Sequence, residues 1–432
     1  MYWEAVNECM SREEREQLQL ERLQATLFRV YMNVPFYRKQ FDALGIDPDS
    51  FRSIDDLRRL PFTTKDNLRA SYPYDMFAVP LREVVRIQAS SGTTGLPTVV
   101  GYTKNDLKHW SNLVARLLTA GGVTQNDIVQ IAFDYGLFTG AFGFHYGAER
   151  IGASVIPISS GNTQRQIKLM QDFRTTALLC TPSYAMALSE AILESGTPVS
   201  SLSLKYGLFG AEPWSESVRT ELQDRLKIIA TDNYGLSEVM GPGVAGECLE
   251  RNGLHINEDH FFVELVNPET LEPVGPGETG ELVITTLTRE AFPLIRFRTH
   301  DLTRFITEPC SCGRTLMRMS KVMGRTDDMI KLRGITVFPS RIESVLCAAA
   351  GGTPHFQIEI DRKGALDEMT ILFEVSDMLF SDEIKDLQGF MDRIRRDLES
   401  ELGFPVEVRP VEKKSLERFE GKGRRVIDRR KK

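Results

Sequence analysis

No stretch of this 432-residue chain is long and apolar enough to cross a bilayer, and its start, Met1-Tyr2-Trp3-Glu4, lacks a cationic region followed by an apolar one. Membrane insertion and export are therefore not expected, and the expected location is the cytoplasm. Cysteine is scarce: six residues at irregular spacing do not make a secreted disulfide framework. An excess of positive charge is also missing, and the net charge of −7 argues against a general nucleic-acid surface. The basic run Arg424, Arg425, Arg429, Arg430, Lys431 and Lys432 reads as a solvated tail, unless the lysine just before it does chemistry. His109, His145, His260, His300 and His355 are scattered, with none in the Ser/Asp setting of a triad, so hydrolase chemistry finds no support. Internal repeats and low-complexity segments are absent.

One further absence is informative. The hydroxyl- and glycine-rich loop Ser90-Ser91-Gly92-Thr93-Thr94-Gly95-Leu96-Pro97 has no lysine after its last glycine, which a Walker loop requires. It continues Leu-Pro-Thr-Val-Val, a turn feeding a strand, so any phosphate it holds is held by a hairpin. Glycines let backbone N–H groups approach a polyanion, and the hydroxyls add rotatable donors without charge.

What is present is ordinary globular composition, 41% hydrophobic and 26% charged, in a chain too long for one core. Arg12 to Leu44 has helical spacing interrupted at Val34-Pro35. From Val85 to about Leu208, strand-like stretches such as 127–132 and 153–158 alternate with helical ones at 105–120 and 163–173, which implies parallel sheets covered by helices. Between about 240 and 320 the chain turns β-rich, with 261–266 and 280–285 flanking a Gly-Pro-Gly-Glu turn, a hairpin or small-barrel signature. The last hundred or so residues, with a strand at 370–375 and a helix at 381–401, suit a separate α+β domain. The expected class is α/β: a large N-terminal domain, 1–326, with a helical region at 1–80, and a small mobile α+β lid at 327–432.

The cysteines reward individual reading. Cys310 and Cys312 form a tight pair after a proline, and Cys248 and His255 stand seven residues apart. Three sulfurs and one imidazole complete a closed tetrahedral site, so structural zinc is expected, clamping the ends of the β-rich section. Cys9, Cys180 and Cys347 have no comparable partners and read as core or incidental.

Three segments in order, Asn233-Tyr234-Gly235-Leu236-Ser237-Glu238, Gly324-Arg325-Thr326-Asp327-Asp328-Met329-Ile330-Lys331 and Glu420-Gly421-Lys422, together with the loop at 90–97, resemble the adenylate-forming (acyl-CoA synthetase) superfamily. Within it the match is to the phenylacetate-CoA ligases, and it runs from Tyr37 to Arg429, taking in Leu60-Pro61-Phe62-Thr63-Thr64-Lys65 and 335–340.

The resemblance implies a two-step reaction, in which a carboxylate attacks the α-phosphate of ATP and a thiol, that of coenzyme A, then displaces AMP. It makes Glu238 the Mg²⁺ contact, and one hard carboxylate with phosphate oxygens and waters is an adequate shell. Tyr234 would lie on the adenine face, with Asp232 or Asn233 reading the amine and Gly210-Ala211-Glu212 on the adenine side. Ser90, Ser91, Gly92, Thr93, Thr94, Gly95, Gly235 and Ser237 complete the nucleotide-binding set. Asp301 would accept from the ribose hydroxyls, with Arg325 beside ribose and phosphate and Asp327 as the hinge. Lys422 matches the mobile catalytic lysine, and Lys65 is a second catalytic cation near the triphosphate. Tyr135, Phe138, Gly140 and Phe142 would line the pocket for an aryl acid. A homodimer is suggested, without nucleic-acid or membrane partners. The rival readings are an adenylation enzyme loading a carrier protein and a silent nucleotide binder.

Overall fold

The computed structural model describes residues 1–90, 97–137, 139–327, 330–332, 335–337, 339–350, 355–363, 366–374, 384–412, 415–416 and 426–430. At the N-terminus, α1 (Ala5–Glu8) precedes α2 (Arg12–Asn33). Ser11 caps α2 by accepting from the Glu14 amide while the Glu14 carboxylate accepts from the Ser11 amide, so two otherwise unpaired donors are satisfied. Leu23, Leu27 and Val30, at helical spacing, are buried. Pro35 cannot continue that helix and opens α3 (Pro35–Leu44), as the interrupted periodicity predicts. The short α4 (Lys65–Ala70) follows, capped by Thr64.

An antiparallel hairpin of β1 (Arg86–Ala89) and β2 (Val99–Tyr102) carries the hydroxyl-rich loop at its tip. Ser90 closes it, donating its amide to Thr98 O at 3.0 Å and accepting from the Thr98 amide on Oγ at 3.3 Å.

The alternating section then delivers α5 (Lys104–Ala120), β3 (Ile128–Ile131), α6 (Gly140–Ile151), β4 (Ser154–Ile156), α7 (Thr163–Asp172), β5 (Ala177–Cys180), α8 (Pro182–Glu194), β6 (Tyr206–Gly210), α9 (Glu216–Leu226) and β7 (Ile229–Leu236). Strands in the order β4-β3-β5-β6-β7 run parallel. Their burial on both faces explains continuous runs such as Ala177–Cys180, all buried.

The β-rich section is shared between two sheets. β8 (Gly241–Glu247) pairs antiparallel with β7, and β9 (Leu254–Ile256) antiparallel with β8, extending the parallel sheet. β10 (Phe261–Val266), β11 (Gly280–Thr286) and β12 (Phe297–Thr303) begin a second sheet, and β13 (Phe305–Ile306) and β14 (Arg318–Met319) return to the edge of the first. β15 (Gly324–Arg325) pairs with β12, giving an open four-stranded sheet where a small barrel was one expectation. The antiparallel pairing of β10 with β11 is the expected hairpin, and with β12 and β15 added on one side the sheet does not close among the described residues.

One apolar core runs from Leu23 to Met319, and a second core covers the other side of the parallel sheet around Phe209 and Leu222. The C-terminal part builds its own core from Ile330, Ile358, Ile371, Ile394 and Val408. Its elements are β16 (Ile330–Leu332), β17 (Ile335–Val337), α10 (Pro339–Ala350), β18 (Phe356–Lys363), β19 (Leu366–Glu374), α11 (Ile384–Leu402), β20 (Glu407–Val411) and β21 (Val426–Asp428). β21 corrects one expectation. Arg429 and Arg430 of the basic run do not lie in a solvated tail: β21 lies parallel to β18, and the two arginines after it pair, Arg430 with Asp367 and Arg429 with Glu359. Among the described residues, no helix is long and apolar enough to cross a membrane.

Candidate active site

Parallel sheets gather ligands outside the carboxyl ends of their strands, and two such ends, those of β6 and β7, lie side by side here. Gly210 pairs with Asn233, and a Cβ on Gly210 would stand 2.4 Å from the Asn233 carbonyl oxygen, so only glycine permits this approach. Gly235 is tighter, its hypothetical Cβ falling 1.9 Å from Gly241 O. Ala211 sits at φ 72, a left-handed position that marks a sharp turn. Asn233 donates its side-chain amide to Phe209 O at 3.0 Å, and Glu212 accepts from the Ser183 amide at 2.6 Å at the start of α8. Asp232 is buried; burial first, and Glu247 second, push its carboxyl up to about 7 against the pull of Lys321 and Arg219.

Beyond β7 a polar chain crosses into the second sheet. The Tyr234 hydroxyl donates to Asp301 Oδ2 at 2.6 Å, and Arg325 Nη1 donates to Asp301 Oδ1 at 2.8 Å. Arg325 then grips Asp327 with Nε at 2.8 Å and Nη2 at 2.9 Å. The pairing of β12 with β15, which sets Asp301 opposite Arg325, makes this contact inevitable. Burial, then the Asp301 charge, raise the Tyr234 phenol well above its ordinary value. Burial also opposes ionisation of Asp327, but the Arg325 hydrogen bonds outweigh it and lower the carboxyl.

Lys65 and Glu238 meet, Nζ to Oε1 at 3.3 Å. Lys65 is aimed by an anchored segment: Thr63 donates its amide to Arg296 O at 3.0 Å and its hydroxyl to Ile295 O at 2.6 Å, and accepts on its carbonyl from the Arg298 amide. Glu238 lies in the turn after β7, between buried Val239 and Ser237, whose hydroxyl is 2.9 Å from that of Thr139. That contact ties the turn to the N-terminus of α6, where Gly140 begins the helix.

Half-buried aromatics border the same helix. The Tyr135 ring packs edge-on against Phe142 at 5.3 Å, and its hydroxyl lies 3.1 Å from His145 Nδ1. Arg86 stacks on Phe142 at 4.9 Å and on Tyr146 at 4.8 Å.

About sixty residues of sequence separate the two halves of the sulfur cluster, yet Cys248 Sγ lies 3.8 Å from Cys310 Sγ and Cys312 Sγ 3.5 Å from His255 Nε2. All four donor atoms lie within 4.8 Å of one another. Four ligands at zinc bond lengths stand roughly 3.3–3.8 Å apart, and a disulfide needs about 2.05 Å, so the set fits an ion rather than a crosslink. Burial, with smaller contributions from the neighbouring thiols, pushes the Cys248 thiol up to about 12. At Cys312 burial acts the same way, but His255 and Arg314 outweigh it and bring the thiol to about 5. The cluster packs on the N-terminus: Tyr2 donates to Cys312 O at 2.6 Å and Arg314 pairs with Glu8 at 2.7 Å.

Seven candidates, Ser91, Gly92, Thr93, Thr94, Gly95, Phe138 and Lys422, lie outside the described residues. The structure brings Asp232, Asn233, Tyr234, Gly235, Ser237, Glu238, Lys65, Asp301, Arg325 and Asp327 into one connected region. Sequence reasoning missed Trp214 and Lys321, which stack at 4.1 Å beside Asp232, and Arg86 under the aromatics. Trp214 directly follows the Glu212-Pro213 turn, the one local signal that could have found it.

Residues 45–288 match the AMP-binding enzyme family, and residues 334–430 match the AMP-binding enzyme C-terminal domain. The chain is 47% identical to the phenylacetate-coenzyme A ligase of Thermus thermophilus, with 100% of each chain covered. It is 48% identical to the phenylacetate-coenzyme A ligase of Escherichia coli, covering 98% of this chain and 96% of the relative. Among solved structures, 2-hydroxyisobutyryl-CoA ligase in the postadenylation state, in complex with 2-HIB-AMP, superposes with a TM-score of 0.93 at 29% identity, covering 100% of this chain and 93% of that one.

Proposed function

We propose that this chain, which belongs to the AMP-binding enzyme family and within it to the phenylacetate-coenzyme A ligases, joins phenylacetate to coenzyme A at the expense of ATP. AMP and pyrophosphate leave, and an acyl-adenylate links the two steps. Full-length identity to ligases of that name, coinciding with the convergence of Tyr234, Asp301, Arg325, Lys65 and Glu238, carries the reading.

In the first step a carboxylate oxygen bonds to the α-phosphorus and pyrophosphate departs. Two anions must approach, so the residues' task is charge management. Asp301 presents two acceptor oxygens to the ribose diol, held in place by Tyr234 and Arg325. Gly210, Ala211, Glu212, Asp232 and Asn233 border the adenine, and the hairpin loop from Ser90 holds phosphate. Tyr135, Phe138, Gly140 and Phe142 form the aryl pocket, and Lys422 brings a flexible point charge to the α-phosphate. Glu238, a buried carboxylate whose neighbour is a cation, fits Mg²⁺, which it would hold with phosphate oxygens and water. When bound, the ion supplies positive charge against the triphosphate. In the second step the coenzyme A sulfur bonds to the acyl carbon and AMP departs, the part beyond Asp327 turning about that hinge as a lid of residues 327–432. Cys248, His255, Cys310 and Cys312 hold a structural zinc ion, since four protein donors leave no open position. We place the enzyme in the cytoplasm as a homodimer.

Incubation with phenylacetate, ATP and coenzyme A tests the reading: AMP and the thioester are expected, and ADP would defeat it. Thioester formation that needs a carrier protein instead of coenzyme A would change the acceptor. Lys422→Ala should suppress adenylation far more than thioester formation from supplied acyl-adenylate, and equal loss in both steps would remove its role.

A further inference from the structure

Glu238 is a carboxylate in a place where an unpaired charge is costly: its side chain is 8% exposed and it lies beside buried Val239 and Met240. Among the described residues its one ion-pair partner is Lys65, and Lys65 has no other. The ammonium is not there by accident of a flexible stem alone. Lys65 is the first residue of α4, behind the Thr64 cap and the Thr63 anchor to 295–298, so its backbone is fixed while its four-carbon stem keeps some freedom. At 33% exposure it has a route to solvent that Glu238 lacks.

We propose that Lys65 is the resident counter-ion of Glu238 and is exchanged for the divalent cation: it neutralises the buried carboxylate until the metal arrives, then swings to the phosphates. This inference rests on the ligase reading for the identity of the ligands. A cation on Glu238 and an ammonium 3.3 Å from the same oxygen would repel, so both cannot hold that position at once. Displaced, Lys65 carries its charge to the phosphates of the nucleotide that enters with the metal. Metal and nucleotide thereby favour each other's binding, and the empty site never exposes a bare buried carboxylate.

The exchange has a sign that a plain phosphate-binding lysine does not share. In the full chain without nucleotide, removal of the competitor by Lys65→Met should tighten Mn²⁺ binding roughly five- to tenfold, read from the free-Mn²⁺ resonance signal. Lys65→Arg, which keeps the charge, should leave that affinity near the wild-type value and shows that the effect is not a folding defect. Glu238→Gln should abolish the Mn²⁺ site in either background. With ATP present the order should reverse, Lys65→Met holding the Mn²⁺–nucleotide pair more weakly than wild type. Nucleotide-free Mn²⁺ binding that Lys65→Met leaves equal, weaker or undetectable would overturn the exchange, and so would tight binding that survives Glu238→Gln. These titrations stand apart from catalysis: AMP formation intact beside a failed exchange leaves the ligase reading in place, whereas absent AMP formation sinks that reading alone.

Discussion

Two clusters of polar side chains, each drawn from distant parts of the chain, are neutralised in different ways. Around Tyr234 the charges have partners of opposite sign: Arg325 bridges Asp301 and Asp327, and Lys65 meets Glu238. In the sulfur cluster the donors of Cys248, His255, Cys310 and Cys312 converge on one another. Acidity cuts across that division, since burial also raises Cys248 in the sulfur cluster and, against burial, Arg325 lowers Asp327 beside Tyr234. At Asp232 burial wins and the carboxyl rises to about 7, whereas at Cys312 the neighbours win and the thiol falls to about 5. Beside Tyr234 the charges are offset by side chains of opposite sign, whereas the sulfur donors face one another, as four ligands of one ion would.

The sharpest way to break this contrast is Glu238→Gln, which should cut ATP–pyrophosphate exchange by roughly 10²–10³ and leave the zinc content untouched. A loss below about tenfold would show that the carboxylate is not central to the first step. Cys312→Ser should do the reverse. Metal analysis should fall from about one zinc per chain to near none, and the protein should lose on the order of 3 kcal/mol in denaturant titrations, while nucleotide affinity well below the melting point stays nearly unchanged. Tyr234→Phe removes one hydrogen bond to a charged group, so the KM for ATP should rise roughly tenfold, equivalent to about 1.5 kcal/mol.

The smallest effect concerns pH. In the unfolded chain Asp232 titrates near the ordinary carboxyl value of about 4, and in the folded protein at about 7. The native state therefore holds the proton more tightly. Its contribution to stability is complete below about pH 4 and is lost as pH rises through about 7. Between pH 6 and pH 8 the wild type should lose about 1.4 kcal/mol relative to Asp232→Asn, measured by denaturation across that range. A constant difference would show that Asp232 is ionised throughout.

Much of this was legible in residue order. Pro35 marks the break between α2 and α3, and the alternating section announces a parallel sheet, because period and length are local properties. The sulfur cluster could be assembled from ligand types alone, without any distance. The division of the β-rich section between two sheets was not legible, since strand pairing depends on partners as far apart as Leu254 and Met319. The role of Trp214 and Lys321 beside Asp232 escaped for the same reason, and the pairing of Arg429 and Arg430 escaped because parallel pairing of β21 with β18 leaves no local mark.

Residue types and their spacing were enough to name the chemical groups at issue: a hydroxyl- and glycine-rich loop, a zinc-type donor set, the Glu238 carboxylate and the lysines Lys65 and Lys422. Which of those groups touch was decided only by the folded chain. The register that sets Asp301 against Arg325, and the Thr63 anchor that aims Lys65 at Glu238, arise from contacts between segments roughly 20 to 230 residues apart. Proximity of that range is created by burying a shared core, a property of the whole chain that no short stretch of residues contains.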